Sequence, residues 1–267
     1  FESASSKQEF LTSIAAKNYF SQGGNNLLVA RVVTGTFTGA GNTHISASAG
    51  GSTQPFQLET LGKGIIYNNA TGSTALAGEQ NTDGSIISGS SDNLRWEISN
   101  VSNAKGTFTV SVRRGDDSLK NKIVLETFNN VDLDPNSPNY IEKVIGNQRV
   151  GISAENDNIV TVGEYVNKSK YIRVRSASLN TINYIGNNGQ IRVGAASGSL
   201  PIAQSGSFFG AQGNIVKAAM NFNDNIAADT QGLGVSDYSN VITLLNNSDD
   251  FKFNVISAPG IVDNHHG

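Results

Sequence analysis

Two short stretches that alternate apolar and polar residues constrain this chain more than any other feature. Leu94, Trp96 and Ile98 alternate with Arg95, Glu97 and Ser99, and Phe108, Val110 and Val112 alternate with Thr109, Ser111 and Arg113. Successive side chains of a strand point to opposite faces, so a period of two predicts two half-buried strands. The turn-rich run RRGDDSLKN (113–121) then leads into the apolar KIVLETF (122–128), which predicts a long-loop hairpin. YIRVRSA (171–177) and TINYIGNNGQIRV (181–193) continue the pattern, with Asn187-Asn188-Gly189 as a tight turn that tolerates positive φ. Residues 35–206 are therefore expected to be mostly β, sandwich-like or barrel-like, in one or two subdomains.

The two ends read differently. Ser6 and Glu9 form a capping-box pair, and Phe10, Leu11, Ile14, Ala15 and Tyr19 give one apolar helix face that stops at Gly23-Gly24. LLVARVV (27–33) follows as a nearly continuous apolar strand, and a helix followed by a strand apolar on both faces predicts an α/β layer. IVKAAMNF (215–222) and DYSNVITLLNN (237–247) read as helices, and FKFNVI (251–256) reads as a buried strand followed by a turn. The expected fold class is α+β: residues 1–34 together with 207–267 form an α/β layer, and 35–206 protrudes from it. A start at Phe1 and the short tail after residue 256 suggest a piece of a longer protein, with His265 and His266 either a tag remnant or native.

Charge and cysteine content narrow the function. Charged residues make up 15% of the 267 and the net charge is −3, so no bulk basic field is expected to recruit nucleic acid or an anionic membrane. With no Cys, disulfides, thiolate catalysis and thiolate zinc sites are excluded together. The 29 Gly and 7% aromatics suit a β protein with many tight turns. No apolar run approaches the length of a membrane span.

Candidate chemistry is sparse. His44 sits in the polar loop GAGNTHIS with no acid close in sequence, which reads as a surface histidine. Asp116 and Asp117 follow Gly115 and read as a solvated turn, facing different ways. Glu126 is the one acid embedded in an apolar strand, facing solvent or pairing with an Arg. GAGN at Gly39 and GLGVS at Gly232 lack the context of a dinucleotide fingerprint and read as turns. The sequons at Asn69, Asn100, Asn167 and Asn246 are expected by chance in so Asn-rich a chain. No catalytic residue, cofactor-binding residue or metal ligand is expected.

DLDPNSPNYIEKVI (132–145) opens like a calcium loop. An EF-hand needs a Gly for the sharp turn and a late bidentate Glu; Ser137 and Lys143 stand there instead. The stretch reads as an irregular connection into a helix, with Ser137 as N-cap and Pro138 at the first helical position.

That loop belongs to a longer block, GTFTVSVRRGDDSLKNKIVLETFNNVDLDPNSPNYIEKVIGN (106–147), which resembles the tail sheath proteins of contractile-tailed phages. In that family a strand of the form G-x-F-x-V-x-V-R precedes an acidic turn and then V-L-E-x-F-x-N-[VL]-x-L-D-P-x-S-x-x-Y-[IV]. The matching positions are Val124, Leu125, Glu126, Phe128, Asn130, Val131, Leu133, Asp134, Pro135, Ser137, Tyr140 and Ile141. AAKNYFSQGGNNLLVARVV (15–33) is similar to the family's helix, glycine turn and strand, and FKFNVISAPGI (251–261) to its strand ending in A-P-G-[IL]. The likeness is weakest over 34–93 and 156–205.

The resemblance implies a non-enzymatic virion protein, assembled in the host cytoplasm. Its copies stack as six-membered rings in a helix around a tail tube and, on a baseplate signal, shorten and widen to drive the tube through the host envelope. It also implies that terminal extensions and a C-terminal domain are missing, so the fragment alone is expected to be a monomer. Within it the 132–145 loop is expected to set Tyr140 and Ile141 against the α/β layer. The mixed-sign residues Arg113, Arg114, Asp116 and Asp117 fit an interface that re-pairs, and equally an ordinary solvated loop. A related contractile device is the first alternative. A receptor- or glycan-binding β module of a phage or cell surface is the second; Trp96 on the apolar face of its strand counts against it.

Overall fold

The computed structural model of the chain describes residues 11–30, 37–68, 80–152, 159–192, 194–213 and 235–257. In chain order the elements are α1 (Leu11–Ser21), β1 (Gly39–Asn42), β2 (Phe56–Lys63), β3 (Leu94–Ser102), β4 (Thr107–Arg114), β5 (Val124–Asp132), α2 (Ile141–Ile145), β6 (Arg149–Ile152), β7 (Ile159–Val162), β8 (Ile172–Ala177), β9 (Gln204–Phe209) and α3 (Val235–Leu245). The chain divides into two compact units, Phe37–Asn214 and the two ends Phe1–Thr36 with Ile215–Gly267.

The first unit is strand-rich. Seven strands form one antiparallel sheet in the order β5-β4-β3-β9-β1-β2-β8, and β6 and β7 form a separate two-stranded ribbon. The alternation seen in the sequence sets the register: Trp96 lies opposite Val112 and Ile98 opposite Val110, so the apolar side chains of β3 and β4 share one face. All four are within 1% of full burial. Gly206 on β9 faces Trp96, and a Cβ there would stand 2.5 Å from the indole. The absent side chain lets the largest ring of the core lie flat on the backbone, where its Nε1 donates to the Ser207 carbonyl at 3.1 Å.

The sheet curls into a half-barrel. Phe56 on β2 stacks on Phe108 on β4, although β1, β9 and β3 lie between those strands in the sheet. The two edge strands, β5 and β8, are not paired with each other, and α2 packs against both. Ile141 and Ile145 are fully buried, and the backbone beyond the helix is tied to the β8 side by Val174 N–H to Gly146 O (2.8 Å) and Lys168 N–H to Ile145 O (2.9 Å). The chain enters this unit at Thr38 and leaves it at Gln212, where Thr38 N–H donates to the Gln212 carbonyl at 3.1 Å.

Several expectations need correction here. β9 runs from Gln204 to Phe209 as a central strand between β1 and β3, past the boundary expected at residue 206. Gly39 begins strand β1 and does not form a turn; its missing Cβ lets Thr60 O approach where a side chain would stand 2.6 Å away. The 181–193 stretch keeps its turn, with Gly189 at φ 75, but its described residues form an isolated Ile185–Ile191 bridge and no named strand.

In the second unit α1 ends as the glycines suggest, Gly23 taking φ 92 and Gly24 N–H donating to Tyr19 O at 3.0 Å. α3 matches the helix read over 237–247 to within two residues at each end. The expected strands fare otherwise. Among the described residues, Leu27–Ala30 and Phe251–Ser257 take no strand, and Val29 and Val255 are 70% and 83% exposed. An extended apolar segment becomes a strand only when a neighbour takes up its N–H and C=O groups, and sequence periodicity names no neighbour. The capping-box pair Ser6 and Glu9, the helix at 215–222, Gly232, Asn69, His265 and His266 lie outside the described residues.

Candidate functional site

Polar groups converge in the loop from Asp132 to Ile145 and in the charges above the β3–β4 strands. In the loop, Asp132 accepts from Asp134 N–H (3.1 Å) and from the Ser137 hydroxyl. Asp134 accepts from Asn136 N–H (3.0 Å) and Asn183 N–H (2.8 Å). Each carboxylate thus has two donors from the chain itself: the N–H two residues on gives the local Asx pattern that holds a turn, and Asn183 ties Asp134 to a distant segment. Lys143 donates to the carbonyls of Pro135 (2.5 Å) and Ser137 (3.2 Å) and lies 5.7 Å from the centre of the Tyr165 ring. Burial raises Asp132 above its ordinary value, against the hydrogen bonds from Ser137 and Asp134.

Helix α2 begins at Ile141, with Tyr140 in the N-cap position, three residues later than Ser137 suggested. Ser137 accepts Asn139 N–H at 3.0 Å and shapes the turn before the helix. Tyr140 and Ile141 pack in the core of the β-rich unit itself. Burial, reinforced by Glu142, pushes the Tyr140 phenol up to about 12. It also raises Glu142, which accepts from Asn147 Nδ2 at 3.0 Å.

The second cluster lies on the opposite face of β3 and β4 from the core. Arg95 and Arg113 are directly opposed in register, and both grip Asp117: Arg95 Nη1 at 3.0 Å, Arg113 Nε at 2.6 Å and Arg113 Nη2 at 2.8 Å. Arg113 Nη1 also donates to Glu97 (2.7 Å), whose other oxygen takes Lys122 Nζ at 2.6 Å. Arg95 Nη1 reaches Gly84 O at 2.8 Å, so the network fastens two loops over the sheet. Desolvation holds Arg95 below its ordinary value, Arg113 adds to that, and Asp117 opposes it. Asp116 pairs at the surface with Arg114 (2.5 Å). The neighbouring acids do face different ways, but only Asp116 is on a solvated turn; Asp117 is 2% exposed. Arg113 and Asp117 are both sealed inside, so they form no surface for re-pairing.

The remaining candidates stay scattered. His44 is half-buried just after β1. Glu126 does not face solvent freely and meets no Arg among the described residues; it accepts from Ser169 Oγ (2.5 Å) and Lys170 N–H (2.9 Å), bridging edge strand β5 to the turn before β8. No sequence signal joins residues so far apart. Among the described residues no three His, Asp or Glu side chains gather at metal-ligating range, and no helix is long and apolar enough to cross a membrane. No protein-family profile matches the chain, and no curated protein matches it.

Proposed function

We propose that the chain is part of a tail sheath subunit of a contractile phage tail, which polymerises around a tail tube and works by lattice rearrangement without covalent chemistry. One observation carries the reading. The block 106–147, where the likeness to sheath proteins is longest, comprises hairpin β4–β5, the acidic loop and α2, with Val131, Leu133, Ile141 and Ile145 fully buried. A unit so closely packed can move as a rigid body while its neighbours change, and a sheath subunit has to do this. In this reading the exposed apolar segments at 27–30 and 251–257 become strands of an α/β layer completed in the assembly, and copies stack in six-membered rings between tube and solvent.

The test is electron microscopy of the complete gene product, purified alone at rising concentration. Hollow tubes of uniform diameter are the expected result. Dispersed particles at every salt concentration would overturn the reading and turn attention to a receptor- or glycan-binding module.

A further inference from the structure

Asn188-Gly189 is the one Asn-Gly pair in the sequence, and Asp83-Gly84 is the one Asp-Gly pair. A side-chain carbonyl that precedes glycine is open to attack by the glycine's own backbone nitrogen, because no Cβ obstructs the approach and the backbone can rotate to permit it. The fold gives these two pairs opposite surroundings.

Asn188 sits at the tip of the turn 184–192. Gly189 N–H donates to Gly186 O at 2.9 Å, Gly186 N–H to Gln190 O at 2.8 Å, and Arg192 N–H to Tyr184 O at 2.9 Å. Residues 187–190 are all exposed, and a Cβ placed on Gly189 would meet nothing within 4 Å. Releasing the Gly189 N–H therefore uncovers no buried group, the condition for frequent local opening. The base of the turn is held separately, since the buried Tyr184 donates its hydroxyl to Asn103 O at 2.5 Å. Gln190 N–H donates to Asn188 Oδ1 at 3.1 Å. That bond curls the amide along the backbone of Gly189, and it puts a donor on the oxygen that takes up negative charge when the carbonyl is attacked.

Asp83 has the same local bond, from Ser85 N–H at 3.0 Å, with the Ser85 hydroxyl on the same oxygen. These contacts hold its carboxyl below the ordinary value, so it stays ionised, and a carboxylate is a poor electrophile. Gly84 is clamped as well. Its N–H donates to Asn81 O at 2.8 Å, its carbonyl accepts from the buried Arg95 at 2.8 Å, and Leu119 occupies the place where a side chain on it would stand.

We propose that Asn188 is a site of spontaneous deamidation and isoaspartate formation in the folded protein, and that Asp83 is guarded against the corresponding isomerisation. The Gly189 nitrogen attacks Asn188 Cγ, a C–N bond forms, the Cγ–Nδ2 bond breaks, and the departing amide nitrogen takes the Gly189 proton and leaves as ammonia. Water then opens the succinimide ring at either carbonyl, giving aspartate or isoaspartate; no oxidant or enzyme takes part. Either product adds one negative charge to the chain. Isoaspartate also inserts a methylene into the main chain, which upsets the spacing of the Gly189–Gly186 and Gly186–Gln190 bonds. The proposal is independent of the sheath reading.

The test is storage of the whole purified chain at mildly alkaline pH, native and in urea, followed by ion exchange, peptide mapping by mass spectrometry and methyl transfer by an isoaspartyl methyltransferase. The native chain is expected to lose the Asn188 amide before any other, no more slowly than in urea, while Asp83 isomerises only in urea. Asn188→Gln keeps the turn's glycine but closes a less accessible six-membered ring, and Gly189→Ala obstructs the attack; each should suppress the acidic species. In the isoaspartate form the Gly189 and Gln190 amides should exchange faster. Retention of the Asn188 amide in the native chain while it converts in urea, earlier conversion at another Asn, or undiminished acidic species in Asn188→Gln would overturn the assignment. Isomerisation of Asp83 in the native chain as fast as in urea would overturn the guarding.

Discussion

Phe56 and Phe108 lie ring on ring, with centroids 5.4 Å apart and planes within 6° of parallel, although three strands separate theirs in the sheet. The pair marks where the sheet has rolled far enough for its own inner face to meet itself. Stacked aromatics of this kind add about 0.5–1.5 kcal/mol to the burial of either ring.

Phe108→Ala should therefore cost about 3–5 kcal/mol in urea unfolding, and Phe56→Ala a similar amount. Because they share one contact, the double variant should lose less than the sum of the two. Strict additivity would mean that the rings stabilise the curl independently.

Asp117 is shared by two fully buried guanidiniums, those of Arg95 and Arg113. Asp117→Ala should destabilise by about 3–5 kcal/mol, since Arg95 would lose its paired carboxylate while still facing Arg113, which keeps only Glu97. Replacing all three with apolar residues of similar volume should recover most of that loss. A fall of under about 1 kcal/mol for the single change would show that water reaches the cluster.

Burial raises both Asp132 and Glu142 above their ordinary values of 3.8 and 4.5. A raised acid binds its proton more tightly in the folded chain, so its contribution is favourable below the ordinary value and is lost as pH rises through the raised one. Asp132→Asn removes one such group. Relative to that variant the native protein should gain stability as the pH is lowered from about 7 to about 3. A stability difference that is flat or opposite in sign would contradict the burial account.

Gly146 closes α2 with φ 105, and a Cβ there would stand 2.6 Å from the Val166 carbonyl oxygen. Strain and collision act together, so Gly146→Ala should cost at least about 2 kcal/mol and loosen the joint between α2 and β8. Hydrogen exchange at Val174, whose N–H donates to the Gly146 carbonyl, should report it.

The carboxylates of the 132–145 loop are held by the chain's own donors, so calcium or a chelator should leave the melting temperature unchanged. Asp134→Asn, which weakens the tie to Asn183, should still cost about 1 kcal/mol. A calcium-dependent rise in melting temperature would overturn the structural role.

Local patterns were legible where both partners lie close in sequence. Hairpin β4–β5, α1 with its glycine stop, and the α3 helix all follow from spacing and capping within a few residues. The burial of Asp117 was not legible, because Arg95 reaches it only after β3 and β4 have paired. Glu126 finds Ser169 across a seam that exists only once the sheet has curled, and β9 finds β3 only after more than a hundred intervening residues have folded. Gly39 was misread for a related reason: glycine marks close approach as readily as a turn, and only the position of Thr60 distinguishes the two. The apolar ends illustrate the opposite error, since strand propensity does not supply a strand partner.

The hydrogen bond between Thr38 and Gln212 also decides how the β-rich unit bears a load. Its two ends leave side by side from the antiparallel neighbours β1 and β9. A force that pulls those ends apart falls first on the β1–β9 bonds, one after another, as on a zipper. The same adjacency means that a short turn from residue 38 to residue 212 could replace the whole unit without moving the chain on either side of it in sequence.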